Sequence, residues 1–442
     1  MTTGILAYGA YLPAHRLGPD SGVRGTRVVA SFDEDATTMA VEAARGLPVP
    51  DAVWWASTTP PYLDKTNAAA VHAALRLPSS VPAADLVGSA RSTFAALRAA
   101  AVAGGLVVAA DVRVGKPGSL DEKSGGDGAA AVLLGVGDPI AEVLGVAGET
   151  LELLDRWRDP QRTTGEQWEE RFGFEQYAEL VRVVATRLLD EAGLAEADHV
   201  VVTSGNAGIT KRAGALVKGA LSSGGSPIGF SGAADPLLGL AAVLDVAGPG
   251  ETILVLSAVD GCDGLLLRTT DLLASRRAVR PVAAQLEAGR DVRYTTYLSW
   301  RGLLERELPR RPEPDRPAGP PSYRAGQWKF GFAGSRCTSC GFLHLPPLRV
   351  CRACSAVDAM ETVSVADLTG RVATFTVDRL AFSPSPPVVD VVVDFEGGGR
   401  TTLEVADAAP DAIGVGTEVG LAFRRLFTAG NVHNYFWKAV VR

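Results

Sequence analysis

Cys337-Thr-Ser-Cys340 and Cys351-Arg-Ala-Cys354 hold four of the five cysteines in a chain of 442 residues. Each C-x-x-C pair offers two thiolates from one tight turn, and two such turns facing each other form a tetrahedral sulfur cage. This is the spacing of a zinc ribbon, with Cys337, Cys340, Cys351 and Cys354 as the ligands. The same sulfurs could close two disulfides or lie buried as free thiols. The spacing, and a chain otherwise nearly free of cysteine, favour the metal. Four protein ligands leave no open position, so the expected zinc is structural. A small metal-stapled element thus separates a long N-terminal part from a short C-terminal one.

The length exceeds what one hydrophobic core serves and implies two or three domains. With 47% apolar and 21% charged residues the composition is that of an ordinary globular protein. A net charge of -7 removes any general attraction to nucleic acid or an anionic membrane. Met1-Thr-Thr-Gly-Ile-Leu lacks a basic segment followed by a long apolar run, so no signal peptide is expected, and no stretch reads as a membrane span. Thiols reserved for zinc point to the cytoplasm.

Residues 4–13 read as a first strand that ends at a proline. A helix is expected near residue 32, with Ser31 as cap, Glu34 completing a capping box, and Met39, Val41 and Ala44 on its apolar face. Residues 52–58 form a buried-type strand, 66–77 an Ala-rich helix, and 81–87 bring the chain to a turn. An internal repeat follows. The Ala/Leu helix 93–103, the break Gly104-Gly105 and the strand 106–110 match the helix 237–246, the break Gly248-Pro-Gly250 and the strand 252–257. Each unit continues through an Asp-Gly turn, Asp127-Gly128 or Asp260-Gly261, into a further apolar strand. Two copies of one strand–helix order imply two similar α/β halves. Between them, residues 155–173 carry Trp157 and Trp168 and read as a surface excursion beside a ligand channel, before a helix over 174–193 and a strand over 199–203. Residues 309–322 are too proline-rich for regular structure and read as a linker. Beyond the cysteines, short strands at 370–378, 388–395, 400–405 and 418–427 suit a small closed β-barrel. The expected division is an α/β part over 1–270, a helical and Pro-rich connection over 271–324, a ribbon over 325–360 and a barrel over 361–442.

Gly9-Ala-Tyr-Leu-Pro13, Asp33-Glu-Asp-Ala-Thr-Thr-Met39, Gly126-Asp127-Gly128 and the doubled halves resemble the thiolase superfamily, most closely its hydroxymethylglutaryl-CoA synthase and type III ketoacyl-synthase branch. The implied fold is a duplicated five-layer α/β architecture. Residues 325–442, with Gly341, Pro346-Pro347 and Asn434-Tyr-Phe-Trp437, resemble the zinc-ribbon and OB-fold proteins associated with acyl-CoA, which look like bridges that hold thiolase-type enzymes.

The resemblance implies a chemistry: a cysteine at a helix N-terminus attacks an acyl thioester, a histidine and an asparagine bind the carbonyl oxygen, and a glutamate moves the proton. Laid on this sequence, the cysteine position in Asp85-Leu-Val-Gly-Ser-Ala90 is Ala90. The glutamate position in Ala56-Ser-Thr-Thr59 is Thr58. The histidine position in Val201-Val-Thr-Ser-Gly-Asn206 is Thr203, and the asparagine position in Gly229-Phe-Ser-Gly232 is Phe230. All four have lost their chemistry. Ser89 could replace the nucleophile but lacks a readable base, and reads as a helix-capping serine. Cys262 reads as a small buried residue, and His15, His72, His199, His344 and His433 as structural or solvent-facing.

A coenzyme A thioester remains the expected ligand by resemblance. Lys211 and Arg212 follow the altered strand end where a phosphate contact is expected, with Lys218 nearby; Arg336 and Arg349, with Arg352, flank the zinc cysteines. Solvated surface charges explain the same residues equally well. The favoured reading is a catalytically degenerate condensing-enzyme subunit that scaffolds or channels acyl-CoA to a thiolase-type or hydratase partner, as a homodimer or heteromer. The alternative is an enzyme that makes or breaks a C–C bond without a cysteine, drawing on Tyr8, Tyr11, Tyr62, Asp260 or Asp263. Nucleic-acid binding ranks last, because residues 366–442 carry nine acidic and seven basic side chains.

Overall fold

The computed structural model describes residues 3–22, 27–223 and 226–442. They form two compact units. The first comprises Met1–Ala30, Asp35–Val71 and Pro78–Tyr294; the second comprises Ser31–Glu34, His72–Leu77 and Thr295–Arg442.

The first unit is built on a sheet of ten strands. In its first half, β1 (Thr3–Tyr11) leads to helix α1 (Ala36–Ala44), then β2 (Val53–Ser57), β3 (Ala83–Val87), helix α2 (Ser92–Ala103), β4 (Gly105–Asp111) and β5 (Gly128–Val136). The second half repeats the order with β6 (Ala141–Thr150), α3 (Glu170–Glu191), β7 (Ala197–Ser204), β8 (Gly219–Ser223), α4 (Asp235–Leu244), β9 (Thr252–Ala258) and β10 (Gly261–Thr269). The sheet runs β8-β7-β9-β10-β6-β1-β5-β4-β2-β3. The pairings repeat as well. β2 lies parallel to β3 and β4, as β7 lies parallel to β8 and β9; β5 and β10 are antiparallel to their neighbours. The halves join where Gly4 and Ile5 pair with Glu142 and Ala141. α1 packs on β1, β4 and β5, and α3 takes the same place on β6, β9 and β10. α4 touches β7 and β9 of one half and β1 and β5 of the other, so α2 and α4 form the central layer of five. Small residues allow that crowding: Ala96 and Ala100 of α2 and Ala241 of α4 are buried in one core with Phe94, Leu237, Leu240 and Leu244.

The duplicated α/β expectation holds, with local differences. α1 starts at Ala36, not beside Ser31. Its cap is Asp35, whose Oδ1 accepts the Thr37 and Thr38 amides at 3.0 Å while the Thr38 hydroxyl accepts the Asp35 amide at 2.9 Å. Ser31 still donates its amide to Glu34 at 2.8 Å, but inside a preceding turn. Residues 83–87 form an edge strand; their partial burial leaves no apolar run to betray it. Asp260-Gly261 is a hairpin turn, with Asp260 at φ 48° and Gly261 at φ 126°. Asp127-Gly128 is not: a long loop with the helix Leu120–Ser124 precedes it. There the Asp127 carboxylate accepts the amides of Ala30 (2.8 Å) and Arg113 (2.7 Å), an anchoring task that a tight turn does not need.

In the second unit, β11 (Ala333–Cys337) pairs with β12 (Leu343–His344) and β13 (Met360–Ser364) to form the ribbon sheet. A five-stranded sheet follows: β14 (Gly370–Asp378), β15 (Val388–Phe395), β16 (Arg400–Glu404), β17 (Glu418–Ala429) and β18 (Val432–Val441), in the order β16-β15-β14-β17-β18. A parallel bridge between Val405 and Ala439 closes the two edges, which leaves an OB-like barrel. The fifth strand, β18, contains the Asn434–Trp437 motif. The proline-rich segment is not wholly irregular, because Gly319–Arg324 is helical and its prolines stand in the first turn, where a missing N–H costs nothing.

Six charged groups form one network inside this unit, and four of them are buried. Lys438 Nζ lies 3.0 Å from Asp33 and 2.8 Å from Glu404, and Arg424 Nη2 lies 2.6 Å from Asp407 and 3.2 Å from Glu34. Arg424, Lys438, Asp33 and Glu34 are each less than 5% exposed. Burial alone would raise the Asp33 carboxyl, but Lys438 and Arg424 hold it below the ordinary carboxylate range. Burial opposes the Lys438 charge too, yet Asp33 and Glu404 raise its pKa. Lys438→Met strands Asp33 without its partner and should lower stability by about 3–5 kcal/mol in urea titration. The network's contribution is full at neutral pH. It falls away as pH drops through the depressed Asp33 value, and again as pH climbs through the raised Lys438 value. A flat pH profile would contradict this account.

Candidate functional site

β4 ends in Asp111, which is wholly buried. Its carboxylate accepts six hydrogen bonds. Oδ1 takes the Ser57 hydroxyl (2.8 Å), the Thr58 amide (2.7 Å), and the Thr59 amide (3.0 Å) and hydroxyl (2.8 Å). Oδ2 takes the Thr58 hydroxyl (2.9 Å) and the Ala233 amide (2.6 Å). Gly232 must be glycine here: its φ is +61°, and a Cβ would run into the Asp111 carboxylate. One acid thus fixes the turn after β2 to the turn before α4, one from each half of the duplication.

Above these turns lies a cavity of about 150 Å³. Thr58 and Thr59 after β2, Ser89 and Ala90 before α2, Ser204 at the end of β7, Phe230, and Asp260 of the β9–β10 turn all line it. Arg113, Asp155, Arg156, Trp157, Arg158 and Tyr177 complete the wall. The Trp-bearing excursion therefore does face a ligand-sized space. Its other tryptophan, Trp168, lines a smaller adjoining pocket that shares Asp155, Arg156 and Gly205.

Three of the four positions laid out from the resemblance meet in the cavity: Thr58, Ala90 and Phe230. The fourth, Thr203, is not among the lining residues. Thr203 is buried with its hydroxyl on the Leu256 carbonyl, and Ser204 faces the cavity instead. Ser204 donates to the Ala258 carbonyl at 2.8 Å, so neither register supplies an imidazole.

The charged groups fall into two sets. Ser89 donates to Asp260 Oδ2 at 3.1 Å. Tyr177 donates to Asp155 at 2.8 Å and its oxygen accepts the Asp260 amide at 3.3 Å. Burial raises the Asp155 carboxyl above its ordinary value, and burial with Asp155 alongside pushes the Tyr177 hydroxyl up. On the other side, Arg113 donates to the Thr58 hydroxyl at 3.1 Å and Arg158 to the Thr58 carbonyl. Arg156 is clamped on Asp121 at 2.7 and 2.9 Å. Phe230 lies between two guanidinium groups, 5.2 Å from that of Arg113 and 5.4 Å from that of Arg156. Tyr177, Asp155 and the arginines escaped the sequence reading, since a tyrosine on a helix face and charges in a loop carry no spacing signal.

The remaining candidates lie elsewhere. Asp263 is held by Arg91 (2.6 Å) and Arg98 (3.0 Å), and Tyr8 by Asp245 (2.7 Å). Tyr11 and Tyr62 are not among the cavity's lining residues. Cys262 is wholly buried, and burial pushes its thiol up. His199 does have partners that spacing hid: Glu251 at 2.6 Å and Ser222 at 2.8 Å, across three neighbouring strands. Lys211 is exposed at the end of a short helix, and the Arg212 guanidinium stacks 4.6 Å from the Phe174 ring. In the second unit Arg336 donates to the Gly341 carbonyl at 3.1 Å, and Arg349 grips Asp358 through two bonds of 2.7 and 2.8 Å.

The ribbon brings its four sulfurs together. The Cys337–Cys354 and Cys340–Cys351 distances are 3.7 and 3.5 Å, and all four lie within 4.8 Å of one another. These separations rule out disulfides. They match the edge of a tetrahedron with Zn–S bonds of about 2.3 Å, which is roughly 3.8 Å. Burial works against the Cys337 thiolate, but the Cys340 and Ser339 amides outweigh it and bring the thiol down to about 6.

Residues 331–361 match the family described as the rubredoxin-like zinc ribbon domain of ChsH2, and residues 362–424 its C-terminal OB-fold domain. A hydroxymethylglutaryl-CoA synthase of Archaeoglobus fulgidus is 30% identical over 342 residues, which span 68% of this chain and 99% of that relative. One from Pyrococcus horikoshii is 29% identical over 318 residues, spanning 63% and 89%. Among solved structures, an HMG-CoA synthase complexed with CoA superimposes with a TM-score of 0.58 at 16% identity, covering 67% of this chain and 89% of that one. The 3-oxoacyl-(acyl carrier protein) synthase III of Pseudomonas aeruginosa gives 0.52 at 21% identity, covering 61% and 98%.

Asp111→Ala leaves buried amides and hydroxyls without an acceptor and should cost about 3 kcal/mol or more in chemical denaturation. Asp111→Asn, which keeps the shape but turns one acceptor into a donor, should fall between. Equal stability of all three proteins would contradict the anchoring role.

Proposed function

Because the chain belongs to the hydroxymethylglutaryl-CoA synthase family, we propose that its first unit binds a CoA thioester in the cavity beside Ala90 without forming an acyl-enzyme. Ala90 carries the reading. It stands ahead of α2 and lines the cavity, and a methyl group there offers no electron pair to a thioester carbon. Thr58, Phe230 and Ser204 supply no carboxylate, amide or imidazole at the other three places. The chain is then a catalytically degenerate subunit that scaffolds or channels acyl-CoA to a thiolase-type partner whose catalytic residues are intact. A homodimer or a heteromer with that partner is the assembly this implies. The four ribbon cysteines hold a structural zinc ion, and the ribbon with its barrel serves as the acyl-CoA-associated arm. The four parts of the chain in this reading are residues 1–270, 271–324, 325–360 and 361–442.

A second reading is favoured by one observation, the Tyr177 hydroxyl bonded to the half-buried Asp155 carboxyl beside Asp260. A hydroxyl and two acids can move a proton, which is what C–C bond cleavage of a β-hydroxyacyl thioester needs in the absence of a cysteine.

Equilibrium dialysis of the full chain with acetyl-CoA should give saturable binding, while a thiol reagent detects no CoA release from acetyl-CoA and acetoacetyl-CoA together. Steady turnover of a β-hydroxyacyl-CoA that Tyr177→Phe abolishes would overturn the degenerate reading in favour of the second. Metal analysis should find about one zinc per chain, and Cys351→Ser should lose both the zinc and the ribbon's near-ultraviolet signal.

A further inference from the structure

A second constellation lies away from the cavity, at the other end of β7. Ser222 of β8, His199 of β7 and Glu251, the residue before β9, are carried by three adjacent strands. β7 runs parallel to both neighbours, with His199 opposite Ile253 and Val200 opposite Leu221. Strands stand about 4.8 Å apart, which lets one imidazole reach a side chain on either side. His199 Nε2 meets Glu251 Oε2 at 2.6 Å, and Nδ1 meets the Ser222 hydroxyl oxygen at 2.8 Å. A carboxylate can only accept, so in the neutral imidazole the proton sits on Nε2. Nδ1 is then an acceptor, and the Ser222 hydroxyl donates to it. Glu251 is itself held. Its Oε2 takes the Gly248 amide at 2.7 Å, and Asp198 anchors the next residue by accepting the Thr252 amide at 2.8 Å and hydroxyl at 2.7 Å. The bond to His199, and then the Gly248 amide, keep the Glu251 carboxyl below its ordinary range, so it stays charged at neutral pH. His199 is half-buried and Ser222 exposed, which shelters the base and leaves the hydroxyl open to solution.

We propose that Ser222, His199 and Glu251 form a second reactive site that takes small activated carboxylic esters, with Ser222 as nucleophile, His199 as general base and Glu251 as positioning residue. A nucleophile bonded to a base that a third group orients is the arrangement serine chemistry needs. The Ser222 oxygen attacks the ester carbonyl carbon while its proton passes to His199 Nδ1. The C–O bond to the leaving alcohol breaks, and His199 gives the proton to that oxygen. Water then hydrolyses the acyl-serine by the same proton path, and Glu251 faces the imidazolium formed in each step. Among the described residues β8 is the end strand of the sheet, so amides on its outer side meet no neighbouring strand and can donate to the ester oxygen. An exposed serine on a sheet edge offers no deep pocket, which fits a small ester. The site does not rest on the reading of the cavity. Ser204, which lines the cavity, lies five residues beyond His199 on β7, roughly 16 Å away at about 3.3 Å per residue.

The test is labelling of the full chain with diisopropyl fluorophosphate, read by peptide mass spectrometry, with hydrolysis of p-nitrophenyl acetate as the second readout. The expected result is one diisopropylphosphoryl group on Ser222, with fluoride as the leaving group, and ester turnover that Ser222→Ala removes. Labelling should slow at least 10-fold in His199→Asn. Glu251→Gln should lower kcat for the ester several-fold at unchanged KM, because it alters the base and not the ester's contacts. Ser89→Ala should label like the wild type, which separates this site from the cavity. Absence of the phosphoryl group from Ser222, or a group on another serine that Ser222→Ala leaves in place, overturns the inference. So does labelling of His199→Asn at the wild-type rate. If circular dichroism shows that His199→Asn does not fold, Glu251→Gln decides: undiminished labelling and kcat overturn the proposal.

Discussion

The cavity exists because one buried carboxylate holds its floor. Asp111 brings together backbone from Thr58, Thr59 and Ala233, which belong to the two halves of a duplicated fold. An acid with no water around it survives only if its oxygens are filled, and six donors fill them. The geometry this sets is that of a condensing enzyme. Three loop ends converge over the helix approach at Ala90, with the cavity between them. On the proposed reading, what has changed is the chemistry at the ends of those loops. A methyl group, a hydroxyl and a phenyl ring stand at positions where the resemblance implies a thiol, a carboxyl and an amide. On the proposed reading the scaffold is kept and the reaction lost, since the scaffold is maintained by packing and buried polar bonds and the reaction by a handful of exposed atoms.

The second unit is held by different forces. Its ribbon is too small to bury a core and gathers four sulfurs instead, at separations suited to a tetrahedral metal. Its barrel closes through Val405 and Ala439 and buries Phe423 and Trp437, whose ring centroids lie 5.4 Å apart. The Arg424 and Lys438 network is unusual for its burial. Such a network adds little net stability over an apolar core, but it punishes any arrangement that separates its members. It also accounts for Asp33-Glu34, acidic residues that precede α1 without capping it. Their carboxylates serve Lys438 and Arg424.

Much of the fold was legible in the sequence, for physical reasons that can be named. The repeat was visible because α2 and α4 are central, which forces small and apolar residues on their buried faces, and because β4 and β9 are buried on both faces. β3 and β18 were missed for the opposite reason. The first is a half-buried edge, and in the second His433, Asn434 and the buried Lys438 break up the apolar residues. The four cysteines were legible because a metal cage dictates spacing along the chain. Of the positions laid out from the resemblance, Thr58, Ala90 and Phe230 line the cavity and Thr203 does not. Asp111, Arg113, Asp155 and Tyr177 were not legible. They converge from β4, two loops and the face of α3, and nothing in linear order announces that convergence. Asp127-Gly128 misled because an Asp-Gly pair usually marks a turn, whereas here the aspartate anchors a long loop.

The central claim is that the cavity holds a thioester and does not react with it. Intact-protein mass spectrometry tests this most directly. The full chain would be incubated with saturating acetyl-CoA, quenched in acid and weighed, with binding verified beforehand on the same sample. The account predicts a chain of unchanged mass from a sample in which the thioester was bound. A stoichiometric gain of one acetyl group that Ser89→Ala removes would contradict it, because it would place a working nucleophile next to Ala90.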